Sequence, residues 1–236
     1  MIPNRPATTT ALLRLFVAGF VLPTAPLAGQ SAGQAVPVDT SSLGTGPHAG
    51  MHMLLEKTIL KVDVLSLDIR FGPEATARFA SLLGDHDAPA RAARDRDALA
   101  DSVAAVALAA RDVFARIEFH RAVGLGRFLD GIRDNLRRAT KAGIVTVSEY
   151  RDIADGLPGW YAFLADRGIR SGDRMFYRIR GDSLRTVYVA EDGRTLLDQV
   201  DVGPHRRLSV LGGYFAPDSD FREGLFESAL AARGDD

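Results

Sequence analysis

The chain contains no cysteine, which removes disulfides, thiolate nucleophiles, cysteine-ligated metals and clusters, and a lipidated N-terminal cysteine together. It also lacks an excess of either charge. With 29 basic and 30 acidic residues the formal net charge is −1, so no sequence-wide field draws it to nucleic acid or anionic lipid. Lysine is scarce: Lys57, Lys61 and Lys141 are the only three, so a lysine within a strand is less expected here than an arginine. Long hydrophobic runs are absent as well. The apolar stretch Leu15–Gly29 is too short to span a bilayer comfortably and is broken by Pro23 and Pro26.

What remains is a 236-residue chain, 46% hydrophobic and 25% charged, an ordinary globular mixture with enough apolar material for a real core. Arg5 and Arg14, the short apolar middle and the small residues Ala25, Ala28, Gly29 and Ala32 have the layout of a secretory signal peptide over residues 1–29. Cleavage is expected between Ala28 and Ala35, which places the mature protein in the periplasm or outside the cell. The alternative is a buried N-terminal helix. Residues 30–50, rich in Gly, Ser, Thr and Pro, read as a flexible leader, and a single domain follows over 51–234.

The domain opens on "LEKTILKVDVLSLDIRFG", Leu55 to Gly72, whose apolar alternation changes phase. Leu60, Val62 and Val64 share one parity; Leu65, Leu67 and Ile69 share the other. A single strand over 54–70, bent by a bulge near Val64-Leu65, explains the change, and so does a twisted strand between two packing layers. "PEATARFASLLG" predicts a short helix with Pro73 in its first turn. Alanine-rich residues 88–111 predict another. "DVFARIEFHR" alternates as a half-buried strand. In "GRFLDGIRDNLRRATKAG", Phe128, Leu129, Ile132 and Leu136 recur at helical spacing, and Gly143 ends the run. Thr146 and Glu149 form a capping box for a helix expected to break at "GLPG" (156–159) and resume through "WYAFLADRG". Three short strands, "DRMFYRIR", "SLRTVYVA" and "TLLDQVDV", joined by "RGDS" and "EDGR", give a meander. Two helices close the chain, the last with Asp218, Ser219 or Asp220 as its cap. The expected class is α+β.

In this order and spacing, "TILKVDVLSLDI", "GLGRFLDGIRDNLRRA", "IRSGDRMFYRIRGDSLRTVYVAEDG" and "FREGLFESAL" together resemble the chalcone-isomerase-like family, over roughly residues 50–232. The resemblance implies a large, mainly antiparallel sheet backed by helices, with an open ligand cleft between them. Residue by residue, little of that family's catalytic set is kept. Its strand threonine aligns with Asp63, its cleft-helix tyrosine with Phe128 and lysine with Gly131. Its later hydroxyl aligns with about Gly213, and its arginine has no counterpart between Gly44 and Ile69. Asn135 alone matches. Ring closure of a chalcone needs a cation for the phenolate and donors for the developing enolate, so that activity is not expected.

The candidate ligand-binding residues are therefore Lys61, Asp63, Phe128, Asn135 and Gly213, lining a cleft for a small hydrophobic or amphipathic molecule, with no confident catalytic residue. Each has a plainer reading: Lys61 paired with Asp63 or Glu56 on a solvated face, Phe128 as core, Asn135 as a solvated or capping group. Two other functions stay open. One is an intramolecular-lyase isomerase with Asp63 as base and Asn135 as oxyanion donor. The other is an envelope protein that binds a partner. His48, His52 and His120 do not make a convincing metal site, no motif calls for a cofactor, and the arginines 127, 133, 137 and 138 alternate with Asp130 and Asp134 as a solvated face rather than a nucleic-acid patch.

Overall fold

The computed structural model describes residues 48–56, 63–84 and 95–232. The expected signal peptide, most of the expected leader and Lys61 lie outside the described residues, as do the side chains of Glu56, Asp63 and Pro204. Six strands form one sheet: β1 (Gly50–Glu56), β2 (Asp63–Phe71), β3 (Asp112–Phe119), β4 (Arg174–Arg180), β5 (Ser183–Val189) and β6 (Thr195–Val202). Each is antiparallel to the next, in sequence order. The described helices are α1 (Pro73–Gly84), α2 (Arg96–Ala109), α3 (Leu125–Lys141), α4 (Val147–Trp160), α5 (Pro204–Phe215) and α6 (Arg222–Ala231), with a 3-10 turn at Ala162–Leu164. The architecture is α+β. Among the described residues no helix is long and apolar enough to cross a membrane.

Alternation decides which sheet face is buried. Leu67, Ile69, Phe71, Val113, Ala115, Ile117, Met175 and Ile179 point to one face and merge with the helices into the main core. Phe71, fully buried, makes ring contacts with Phe79 of α1 and Phe215 of α5. On the opposite face Phe114, Phe176, Val187 and Val189 form a small separate cluster.

The phase change near residue 64 has a different origin from the one expected. There are two strands, not one bent strand: Met51 pairs with Ile69 and Leu55 with Leu65, so the chain reverses between 56 and 63, and the register shifts at Leu55/Glu56. Parity is reset by a reversal, and no Gly, Pro or Asn marks it in "EKTILKV". A second difference concerns α4, which runs through Pro158 to Trp160 instead of breaking at "GLPG". Near a helix end the missing N–H of proline costs only one bond, and the chain leaves the helix at Tyr161. The Thr146 capping box forms as read: its hydroxyl accepts the Glu149 N–H at 3.2 Å, and the Glu149 carboxylate accepts the Thr146 N–H at 2.8 Å. The start of α6 differs: Phe221 occupies the cap, and Ser219, one of the three expected residues, accepts the Phe221 N–H while donating to the Gly213 carbonyl. The β5–β6 reversal uses Gly193 at φ 86°, a conformation that side chains with a Cβ rarely adopt.

Candidate functional site

A hollow of about 110 Å³, open to solvent, lies between the sheet and three helices. Ile132, Asn135 and Leu136 of α3 form one wall, Leu157 and Trp160 of α4 another, and Val210, Gly213 and Tyr214 of α5 a third. Tyr177, Thr186 and Asp201 reach it from β4, β5 and β6, and Tyr161 from the end of α4. The closeness of α3 and α5 depends on two glycines. A Cβ at Gly212 would stand 3.0 Å from the Ala139 Cβ and the Ile144 methyl, and one at Gly213 would stand 3.3 Å from the Asn135 Cβ.

The structure brings Asn135 and Gly213 together across this hollow. Of the other candidates, Lys61 and the Asp63 side chain lie outside the described residues. Phe128 packs edge-to-face on Tyr161 (centroids 5.1 Å) and Phe119 (6.0 Å), so it supports the hollow from behind. Gly131, the gap expected between Phe128 and Asn135, is exposed. Asp63 starts β2, and no described β2 side chain lines the hollow. Tyr177 is in register with Ala115, and Ala115 with Ile69. Asp63 lies six residues before Ile69, about 20 Å along the strand and two strands away.

What the sequence reading missed is the floor. Three of the chain's five tyrosines, Tyr161, Tyr177 and Tyr214, converge there from three separate elements. All are buried, at 6, 8 and 7% exposure. The Tyr161 and Tyr177 hydroxyls both donate toward the Met175 sulfur, at 3.7 and 3.4 Å, a weak acceptor. Tyr214 has no hydrogen-bond partner among the described residues; its ring rests on Phe221. Burial pushes all three hydroxyls up, Tyr161 to about 12, and the Asp201 carboxylate adds to the rise at Tyr161. They are neutral donors at physiological pH, and none is a base or nucleophile there. The expectation of a cleft poor in proton donors is corrected by this cluster; an unusual concentration of scarce tyrosines was the only signal, and it is dispersed along the chain.

An arginine also reaches the hollow. Arg206, in the first turn of α5, lies 4.9 Å over the Trp160 ring, and no described carboxylate stands within ion-pair distance of it. The Asn135 carbonyl oxygen takes a long 3.5 Å contact from Arg138, which pairs with Asp220 at 3.1 Å.

A larger hollow of about 220 Å³ borders the start of α1 and the α2–β3 junction. Its charged lining is already committed: Arg78 to Glu74, Arg111 to Asp182, and Asp112 to Arg178. The α3–α5 hollow is the better ligand site because its walls are apolar and it holds polar groups, Arg206 and the Tyr214 hydroxyl, that are not committed among the described residues. Of the histidines, His52 turns Nδ1 to Asp68 at 2.7 Å, where Arg116 also binds. Burial works against ionisation of Asp68, yet those two partners hold its carboxyl below the ordinary range.

No protein-family model matches the chain, and no curated protein does. Among solved structures, the chain is similar to a fatty-acid binding protein of Arabidopsis thaliana, with 14% identity over 78% of this chain and 86% of that one and a TM-score of 0.47. The likeness is one of overall architecture, too distant to carry a statement about ligand or chemistry.

Proposed function

We propose that this is an exported chalcone-isomerase-like domain that binds a small, largely apolar molecule in the α3–α5 hollow without transforming it. One observation carries the reading: a solvent-open hollow walled by Leu, Ile, Val and Trp side chains ends at three neutral tyrosine hydroxyls, of which Tyr214 has no hydrogen-bond partner among the described residues. Its volume is below the roughly 300 Å³ typical of drug-sized ligands and close to the ~150 Å³ hollow that accepts one benzene ring. The ligand is thus a single ring or a short chain, with any tail leaving past Arg206 and Trp160. Export rests on the pattern of residues 1–29; N-terminal sequencing of the mature protein should find a start between Gly29 and Ala35. Native mass spectrometry of protein from its own host tests the binding. A small co-purifying mass is expected, and a clean apo mass with no uptake of ring-sized compounds rejects it.

A second reading, an isomerase, has one observation in its favour: Asp201 shares the hollow with the tyrosine donors. A carboxylate facing hydroxyls can move a proton next to a carbonyl. Asp201 replaces Asp63 in that role, because Asp63 is far along the sheet. Exchange of ketone α-protons into heavy water, abolished in Asp201→Asn, would support it; no exchange above buffer rules it out.

A further inference from the structure

A hydroxyl on the wall of an apolar hollow keeps its hydration only until a ligand displaces the water, and the ligand must then supply the partner. Tyr214 is 7% exposed, lines the hollow, and has no hydrogen-bond partner among the described residues. Tyr161 and Tyr177 beside it interact with each other and with the Met175 sulfur. Tyr214 is the one of the three without a hydrogen-bond partner among the described residues, and the Asp201 carboxylate in the same hollow already accepts from Gln199.

From this we infer, building on the binding role proposed above, that the hollow selects ligands whose inner end is an uncharged acceptor oxygen, a ketone or aldehyde carbonyl, received by the Tyr214 hydroxyl with Tyr161 and Tyr177 beside it. A hydrocarbon leaves the donors unmatched. A carboxylate matches them but brings a full charge into a site where burial already disfavours ionisation. The cation of the hollow, Arg206, lies over Trp160 rather than on the tyrosine floor: it precedes Tyr214 by eight residues, about 12 Å along α5. The nearer formal charge is Asp201, of the same sign as a carboxylate. The ligand therefore enters carbonyl first, with its apolar body against Leu157, Val210 and Leu136.

Three probes of similar size separate the cases in the full-length protein: cyclohexanone, methylenecyclohexane and cyclohexanecarboxylate, titrated by calorimetry at pH 7. Cyclohexanone is expected to bind roughly tenfold tighter than the hydrocarbon, the scale of one neutral hydrogen bond, with the carboxylate weakest. Tyr214→Phe should bring the ketone down to the level of the hydrocarbon without lowering the melting temperature. The carbonyl stretch of bound cyclohexanone, shifted to lower frequency in the parent, should return toward its value in an apolar solvent. Equal affinity for ketone and hydrocarbon, or tightest binding of the carboxylate, overturns this inference while leaving ligand binding intact. Failure of all three probes to bind removes the binding role with it.

Discussion

The Asp173 cluster and the tyrosine floor are built around the same two strands, β4 and β5, yet they treat buried polar atoms in opposite ways. Asp173 is fully buried. Its two oxygens accept five hydrogen bonds: two from Arg167 at 2.8 and 3.0 Å, and one each from the Arg170 N–H, the Glu191 N–H and the Tyr188 hydroxyl. Arg167 and Arg170 also pair with Glu191, so the segment before β4 and the β5–β6 turn are held by one saturated network. On the tyrosine floor, Tyr177 has the Met175 sulfur and the Tyr161 hydroxyl, and Tyr214 has no hydrogen-bond partner among the described residues. Saturation marks a structural joint. Unmet donors in a hollow open to solvent mark a place prepared for something else.

The largest expected effect comes from breaking the joint. Burial alone would raise the Asp173 pKa, but Arg167, the Arg170 backbone and Tyr188 outweigh it and hold the carboxyl down to about 2. A folded-state pKa below the ordinary 3.8 means its stabilisation is complete above about pH 4 and fades as pH falls toward 2. Asp173→Asn should cost about 3 kcal/mol at pH 7, since it leaves Arg167 short of its main partner, and denaturant titration measures this directly. The gap between parent and variant should close between pH 4 and pH 2. A gap that does not change across that window would show the carboxylate is not the stabilising species.

The second effect sharpens the other side. Gly213→Leu would fill the hollow from α5, against Asn135. Overpacking costs about 1–3 kcal/mol, partly offset by about 1 kcal/mol gained on replacing a helical glycine. Stability should fall only modestly while uptake of cyclohexanone is lost. Retained uptake would place the ligand elsewhere.

The joint and the hollow were not equally legible in the sequence. The meander, its turns and the Thr146 box were readable because each depends on neighbours within a few residues. The Gly172-Asp173 step, part of the segment that carried the family resemblance, turns out to have a local cause: the Arg170 N–H and the Arg167 side chain lie three and six residues away. The hollow depends on distant coincidences. Tyr161, Tyr177 and Tyr214 are spread over more than fifty residues, and each sits where an aromatic reads as ordinary core. Asn135 and Gly213 entered through alignment to a family pattern, and the structure places them side by side. Asp63 and Phe128 entered the same way, and one falls far along a strand while the other packs behind Tyr161. Alignment carries a position along an element, but which wall that position faces is set by a hairpin the alternation concealed.

The smallest effect is the most discriminating, because it makes the same chemical change on both sides. Tyr188→Phe and Tyr214→Phe each delete one buried hydroxyl and leave a ring of nearly equal size. Tyr188 donates to Asp173 at 2.7 Å, so its loss removes a charge-assisted hydrogen bond and should cost about 1.5–3 kcal/mol. Tyr214 donates to nothing described and faces the open hollow, so its loss removes no protein hydrogen bond, and its stability change should lie within about 0.5 kcal/mol of zero. Thermal melts of the two variants beside the parent, without ligand, decide the matter. If Tyr214→Phe falls as far as Tyr188→Phe, its hydroxyl has a structural partner, and the floor of the hollow belongs to the core rather than to a ligand.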